Sequence, residues 1–318
     1  MKVFITGANG FTGSAILRKL AEAGHEVMGL VQETSHEADV KNAGGIPIIG
    51  DLLVPEPWTE AVKNCDVVIS ASSPYRTNEK LSVDEAYRRA EAHSEMVGNL
   101  LRAASKSSVK AAVLTYHITA FGNQGDRWAS EVMGISPVGL GIPIAGTYWD
   151  IDRMARRAGV PTIEVFPGWV YGPSNWFRDF LVSGLRAGRP MVIGAGYNYR
   201  SLIHIDDLAE GYRLILDKMP VGERFCLVDS HPVRQRELVN FVAREMGLPE
   251  SDEVDYVVFA KEMGDILADA MVSSVRATNT KAKKELGFRP KLDDYSAGVP
   301  SVLRALGERT MGQPKAAA

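Results

Sequence analysis

The chain has 318 residues, of which 45% are hydrophobic, 24% charged and 8% aromatic, with a net charge of −3. That balance describes a soluble globular protein of one large or two small domains and excludes collagen, coiled coil and disorder. No basic cluster is present and no apolar run approaches the roughly 18 residues of a membrane span, so neither nucleic acid nor a bilayer is expected as a partner. The only two cysteines, Cys65 and Cys226, lie far apart, which suits a reducing cytoplasm. The opening Met1-Lys2-Val3-Phe4-Ile5 lacks the basic head and long apolar stretch of a signal peptide. No metal site is expected.

Short β-branched runs alternate with longer amphipathic stretches through the first half, the pattern of strand-helix units wound into a parallel sheet. Strands are expected at Val3 to Thr6, Glu26 to Val31, Ile46 to Ile49, Val67 to Ser70 and Ala111 to Thr115. Helical spacing falls on Phe11 to Ala23, Trp58 to Asn64 and Val83 to Ser105, then on Tyr148 to Arg157, before a strand from Pro161 to Phe166. Later strands near Met191 to Ile193 and Arg224 to Leu227 are interspersed with helices near Asp206 to Leu216, Arg234 to Met246 and Tyr295 to Leu306. The expected architecture is a Rossmann-type doubly wound parallel sheet with a smaller C-terminal α/β substrate lobe. Residues 1–170 form the dinucleotide-binding domain, with segments near 201–217 returning to it. Residues 171–318 form the substrate lobe, ending in a disordered tail at 313–318. The long Gly/Pro-rich stretch Gly122 to Thr147 holds Trp128, Met133, Ile135, Val138, Leu140 and Ile142, and is either a loop packed on the core or a lid.

The clearest chemical signal is Gly7-Ala8-Asn9-Gly10-Phe11-Thr12-Gly13, which follows the first strand and opens the first helix. One glycine permits the turn, one admits a pyrophosphate to the backbone, and one lets helix and strand pack closely, while the helix N-terminus offers free N–H groups. In that strand-turn-helix context the motif predicts NADP or NAD. An acid at the end of the second strand holds the ribose 2′-hydroxyl of NAD, and a base favours the 2′-phosphate of NADP. Here the sequence reads Leu30-Val31-Gln32-Glu33. Gln32, Thr34 and Ser35 are donors that lean towards NADP, and Glu33 argues the other way.

These residues resemble the extended short-chain dehydrogenase/reductase superfamily, the NAD-dependent epimerase/dehydratase family, over nearly the whole chain. The likeness rests on Thr6 to Gly13, Gly50-Asp51-Leu52, Ser70 to Pro74, Pro167-Gly168-Trp169-Val170-Tyr171-Gly172-Pro173, Ser201 to Ala209 and Asn279 to Pro290. It implies that Gly7, Asn9, Gly10, Phe11, Thr12 and Gly13 hold the pyrophosphate and that Asp51 and Leu52 meet the adenine. Ala71, Ser72 and Ser73 are placed at the adjacent ribose and phosphates, and Pro167, Gly168 and Val170 at the nicotinamide. His204 with Asp206 and Asp207 reads better as a helix cap than as catalytic machinery.

Family members carry a Ser or Thr after the fifth strand and a Tyr followed four residues later by Lys, whose charge lowers the phenol pKa. No tyrosine here has Lys four residues on. If Tyr148 is the family tyrosine, Asp152 replaces Lys. If the count runs back from Gly159-Val160-Pro161, Ile144 stands in the Tyr place and Tyr148 in the Lys place, near the cofactor ribose. After the fifth strand, Thr115-Tyr116-His117 replaces the serine-rich run, with His117 at the serine position and Thr115 retaining a hydroxyl for the cofactor. Tyr148, His117 and Tyr116 are therefore the catalytic candidates.

Eleven of the 25 aromatic residues, including four of the five tryptophans, fall between Tyr116 and Phe180. Tyr75, Tyr116, Trp149, Trp169, Trp176 and Phe177, with His117 and Arg200, are the expected substrate wall, which suits an aromatic or apolar small molecule. The leading expectation is an NAD(P)-dependent oxidoreductase acting on such a carbonyl or enone. A cofactor-retaining isomerase, dehydratase, lyase or cyclase is the alternative, and a catalytically degenerate NAD(P) sensor the third reading. The helix Val83 to Ser105 resembles the element through which relatives pair into homodimers.

Overall fold

The computed structural model describes residues 1–54, 56–72, 80–137 and 141–308; side chains of 141, 142 and 144–146 are excluded from description. Seven strands form one parallel sheet: β1 (Lys2–Thr6), β2 (Glu26–Val31), β3 (Ile46–Ile49), β4 (Val67–Ser70), β5 (Ala111–Thr115), β6 (Thr162–Pro167) and β7 (Arg224–Leu227). Their spatial order is β7-β6-β5-β4-β1-β2-β3, so the chain reverses direction across the sheet between β1 and β4. In open α/β sheets that reversal leaves a crevice at the strands' carboxyl ends, where ligands bind.

The strands are apolar on both faces because both are covered by helices. On one face α1 (Phe11–Glu22) buries Ile16, Leu17 and Leu20 beside Leu208, Tyr212 and Ile215 of a later helix, Ile205–Lys218. On the other, α2 (Val83–Ser105) and α3 (Gly141–Ala158) bury Val97, Leu100, Leu101, Ile151 and Ala155 against Phe4, Val68 and Leu114. Ser82 caps α2 by accepting the Glu85 N–H at 3.2 Å. The later segments 205–218 and 224–227 both join the first lobe, the latter as edge strand β7.

The second lobe is packed by a core that also takes in Tyr148, Phe166 and Cys226 of the first: it includes Phe180, Leu185, Leu238, Val242, Phe259, Leu267 and Val299. It is tied to the first by a parallel pair, Trp169–Tyr171 with Leu202–His204. The stretch after Gly122 is stitched to this lobe: Gln124 N–H donates to the Ser274 carbonyl at 2.8 Å, and Trp128–Ala129 pairs with Arg276–Ala277. α3 begins at Gly141, seven residues before the expected start, because Gly141-Ile142-Pro143 can enter a helix, with Pro143 in its first turn. Val138, Leu140, Ser73, Tyr75 and the tail 313–318 lie outside the described residues. Among the described residues no helix is long and apolar enough to cross a membrane.

Candidate active site

A cleft of about 730 Å³ opens at the β1/β4 crevice. Gly7, Asn9, Gly10, Phe11, Thr12 and Gly13 form its floor, with Leu52, Ala71 and Ser72 on one side and Gln32, Glu33 and His36 at the far end. The glycines are required by contact. Gly7 has φ +66°, and a β-carbon there would meet the Ser72 Cα at 2.9 Å; one on Gly13 would lie 2.1 Å from the Gly7 carbonyl oxygen. Gly10 caps α1 with no side-chain hydrogen bond, and no acid occupies the first turn. The first N–H groups of α1 therefore face the cleft with the positive end of the helix dipole behind them. A bare backbone cradle of this size and polarity fits the pyrophosphate of a dinucleotide.

The β4 side is fixed by short polar contacts. Thr6 Oγ1 accepts the Ala71 N–H at 3.2 Å and lies 3.2 Å from Ser72 Oγ. Behind this turn stands His93 of α2, whose Nε2 is buried without a partner and whose pKa burial lowers to about 4, against an opposing hydrogen bond to the Ser72 backbone. Sequence reasoning passed over His93, Met96, Asn175 and Asp179, the last three of which line the cleft. Asn175 and Asp179 arrive from the second lobe, so no local motif announces them.

Not every expected cofactor residue faces the cleft. The Asp51 carboxylate accepts the Leu53 N–H at 2.9 Å. Thr115 Oγ1 lies 2.5 Å from the Tyr212 hydroxyl, on the α1 face of the sheet. Gly168 is held against Ser201, whose carbonyl oxygen would lie 2.5 Å from an added β-carbon, and the Val170 carbonyl accepts Trp176 Nε1 at 2.7 Å. Pro167 ends β6.

His117 lies just beyond β5. Its Nδ1 accepts the Thr119 N–H at 3.3 Å and sits 2.9 Å from Thr119 Oγ1. A backbone N–H can only donate, so Nδ1 keeps its lone pair and the neutral ring carries its proton on Nε2. Burial, then the Arg200 charge, lower its pKa to about 4. The ring meets Trp169 edge-on at 5.3 Å, and Trp169 meets Trp176 at 5.6 Å. The Arg200 guanidinium lies 4.4 Å from the Trp169 ring centroid and donates to the Met271 carbonyl at 2.9 Å. Trp169, Trp176 and Phe177 are not on open loops: Trp169 begins a strand, and all three are buried in the core cluster that also holds Phe166 and Phe180. Trp149 is half exposed on α3 and shares none of these ring contacts.

Tyr148 turns elsewhere. Its hydroxyl donates to Glu164 Oε2 at 3.1 Å and accepts from Arg224 Nη2, while Arg224 Nε pairs with Glu164 at 2.9 Å. Burial, then Glu164, push its pKa up, so it stays a neutral phenol. Tyr116 packs between Tyr148 and Phe166, with its own hydroxyl buried and unpartnered and its pKa raised by burial. Glu164 was the overlooked signal: a carboxylate in an otherwise apolar strand requires a buried partner, and Arg224 supplies it from β7. His204 acts as the cap expected of it, its Nδ1 accepting the Asp206 N–H at 3.2 Å, and Asp207 accepts from Lys291 and Leu292.

With this geometry established, comparison with known proteins gives the family. Residues 3–227 match the NAD dependent epimerase/dehydratase family, and the chain belongs to it, as an extended short-chain dehydrogenase/reductase. A curated ketoreductase of Stigmatella aurantiaca, named for 4-hydroxy-2-methyl-3-oxo-4-farnesyl-3,4-dihydroquinoline-1-oxide, is 26% identical over 317 residues, covering 91% of this chain and 92% of the relative. The crystal structure of a dTDP-glucose 4,6-dehydratase from Streptomyces venezuelae with NAD bound is similar at TM-score 0.80 and 20% identity, over 96% of each chain. A human epimerase family protein with NADPH matches at TM-score 0.79 and 17% identity, over 96% of this chain and 99% of that one. The protein is an NAD(P)-dependent enzyme.

Proposed function

We propose that the protein is a reductase or dehydrogenase for an aromatic or apolar carbonyl or enone, with His117 as the hydrogen-bond donor to the reacting oxygen. The observation that carries this is the His117 tautomer: Nδ1 is occupied by Thr119, the ring is neutral at physiological pH, and Nε2–H remains to donate. A dinucleotide held by Gly7, Gly10 and Gly13 would supply hydride chemistry through its nicotinamide. As hydride reaches carbon, negative charge gathers on oxygen, and a fixed N–H donor in a dry site stabilises that charge. His117 keeps its proton, since an imidazolate is too costly, and the oxygen or the enolate carbon takes its proton from solvent. Conjugate reduction suits this best because it needs only a donor at oxygen.

Trp169, Trp176 and Arg200 support an aromatic or apolar substrate over a sugar nucleotide. Two buried indoles pack beside His117, and the Arg200 guanidinium lies against Trp169. The named substrate of the Stigmatella relative, a ring ketone with a farnesyl tail, is of this chemical kind. The test is purified protein with reduced nicotinamide and a panel of aryl ketones and enones, followed by loss of the reduced-nicotinamide absorbance. Consumption equal to product supports the proposal. Product formed without net consumption makes the enzyme a cofactor-retaining isomerase or lyase instead.

A further inference from the structure

Four segments remote in sequence bring a stack of alternating rings and guanidinium groups to the solvent side of the second lobe. Arg276 Cζ lies 4.2 Å from the Trp128 ring centroid and 5.0 Å from that of Tyr199. Arg234 Cζ lies 4.7 Å from the Tyr199 centroid and 5.8 Å from that of Tyr197, and Arg236 adds a third guanidinium 5.9 Å from Tyr197. Backbone pairing fixes the order: Tyr199 stands opposite Arg234 in an antiparallel pair, and Arg276 opposite Trp128 in a parallel one. Both ends of the stack are open, with Trp128 48% and Tyr197 64% exposed. Its charges are not balanced. Glu253 pairs with Arg236, but Asp126 reaches Arg234 only at 3.9 Å. Among the described residues no carboxylate meets Arg276, whose Nε is buried without a hydrogen-bond partner. From this we infer that the stack is a docking site for an extended acidic segment of a partner protein, with Arg276 and Arg234 pairing two of its carboxylates and Trp128 covering an apolar side chain beside them.

The physical reason is pre-organisation together with unmet charge. Ring faces attract a guanidinium but offer its N–H groups no lone pair, and a guanidinium packed over rings keeps its in-plane N–H fork for a carboxylate. Because the rings already hold these side chains, little rotamer freedom is lost when an anion arrives. Arg276 and Arg234 both contact the Tyr199 ring, so their centres lie within about 10 Å of each other. Alternate residues of an extended chain stand roughly 6.6 Å apart on one face, and acidic side chains cover the remainder. Nucleic acid fits this surface less well. It presents a phosphate at every step, whereas the cations without a close acid are Arg276 and Arg234, Asp126 and Glu253 stand at the border, and the chain carries −3 overall.

The experiment is fluorescence anisotropy of the full-length protein with a short fluorescein-labelled peptide carrying Glu at alternate positions around one Trp. The same peptide with Gln for Glu, and a labelled single-stranded oligothymidylate, are the comparison probes. The Glu peptide is expected to bind, more weakly as salt rises. The Gln peptide is expected to bind at least about tenfold more weakly, the scale for losing hydrogen bonds to a charged group. Arg276→Gln, which keeps most of the stem between the rings, weakens the Glu peptide by a similar factor and leaves dinucleotide binding unchanged, because the stack lies outside the cleft. Arg276→Lys keeps the charge without the fork and recovers only part of the affinity. Where a variant melts early, the ratio of Glu to Gln peptide binding in wild type still decides. Failure of the Glu peptide to bind, equal binding of the two peptides, or wild-type affinity in folded Arg276→Gln overturns the inference, as does tighter binding of oligothymidylate than of the Glu peptide. No substrate is present, so the outcome is independent of the reaction proposed for His117.

Discussion

The dinucleotide cleft and the region around His117 are built in opposite ways. The cleft is largely backbone: glycines that no side chain can replace, a helix start without a capping side chain, and a turn fixed by Thr6. The proposed reaction region is all side chain, with His117 from just beyond β5, Trp169 from the strand Trp169–Tyr171, and Arg200 from the segment before Leu202. A backbone cradle tolerates almost no change at a few positions and is indifferent elsewhere. A side-chain site can change at many positions, and in the function proposed here His117 supplies the donor that the absent Tyr-Lys pair does not.

Substitutions test that contrast, beginning with the cradle. Gly13→Val puts a β-carbon where the Gly7 carbonyl already stands; dinucleotide binding is expected to vanish from a fluorescence titration, with overpacking costing roughly 1–3 kcal/mol of stability. Detectable binding with native affinity would show that α1 can shift. His117→Phe should leave dinucleotide affinity unchanged and lower kcat/KM about 100- to 1,000-fold, the scale for losing one donor to a developing oxyanion. An unchanged kcat/KM assigns the donor elsewhere.

The Tyr148 group sharpens the comparison, because it occupies a catalytic place in the family pattern yet is tied up in an ion pair. Arg224→Met leaves the Glu164 carboxylate buried and unpaired, at a cost of about 3 kcal/mol, the low end for such pairs because Arg224 is 33% exposed. Chemical denaturation checks this, and a loss below about 1 kcal/mol would mean that Glu164 takes up a proton instead. The last effect is with pH. His93 and His117 have folded pKa values near 4, below the 6.5 of a free histidine. Their neutral forms are favoured by folding, so stability present above about pH 6.5 declines as pH falls towards 4. His93→Leu should flatten that decline in thermal melts taken between pH 7 and 4.

Legibility in the sequence followed the same division. Strands β2 to β5 and helix α2 begin and end where the residues predict, because a parallel sheet covered on both faces demands unbroken apolar runs that stop at turns. The start of α3 was misplaced, since a glycine- and proline-rich opening reads as loop in the sequence; in the structure Thr147 near that start donates to the Ala90 carbonyl of α2 at 3.3 Å. The expected reach of Tyr148 towards the cofactor ribose assumed a register, but orientation depends on what lies across the gap. Glu164 and Arg224, 60 residues apart in sequence, are brought together only by the pairing of β6 with β7.

The sequence alone determined the doubly wound sheet, the glycine cradle and the absence of a Tyr-Lys pair, because each is written in residues adjacent along the chain. Only the tertiary structure decided the direction of the Tyr148 hydroxyl, the tautomer of His117 and the arrival of Asn175 and Asp179 at the cleft. The first and last depend on elements distant in sequence, and the tautomer on a backbone N–H two residues away that reaches Nδ1 only once the chain has turned after β5.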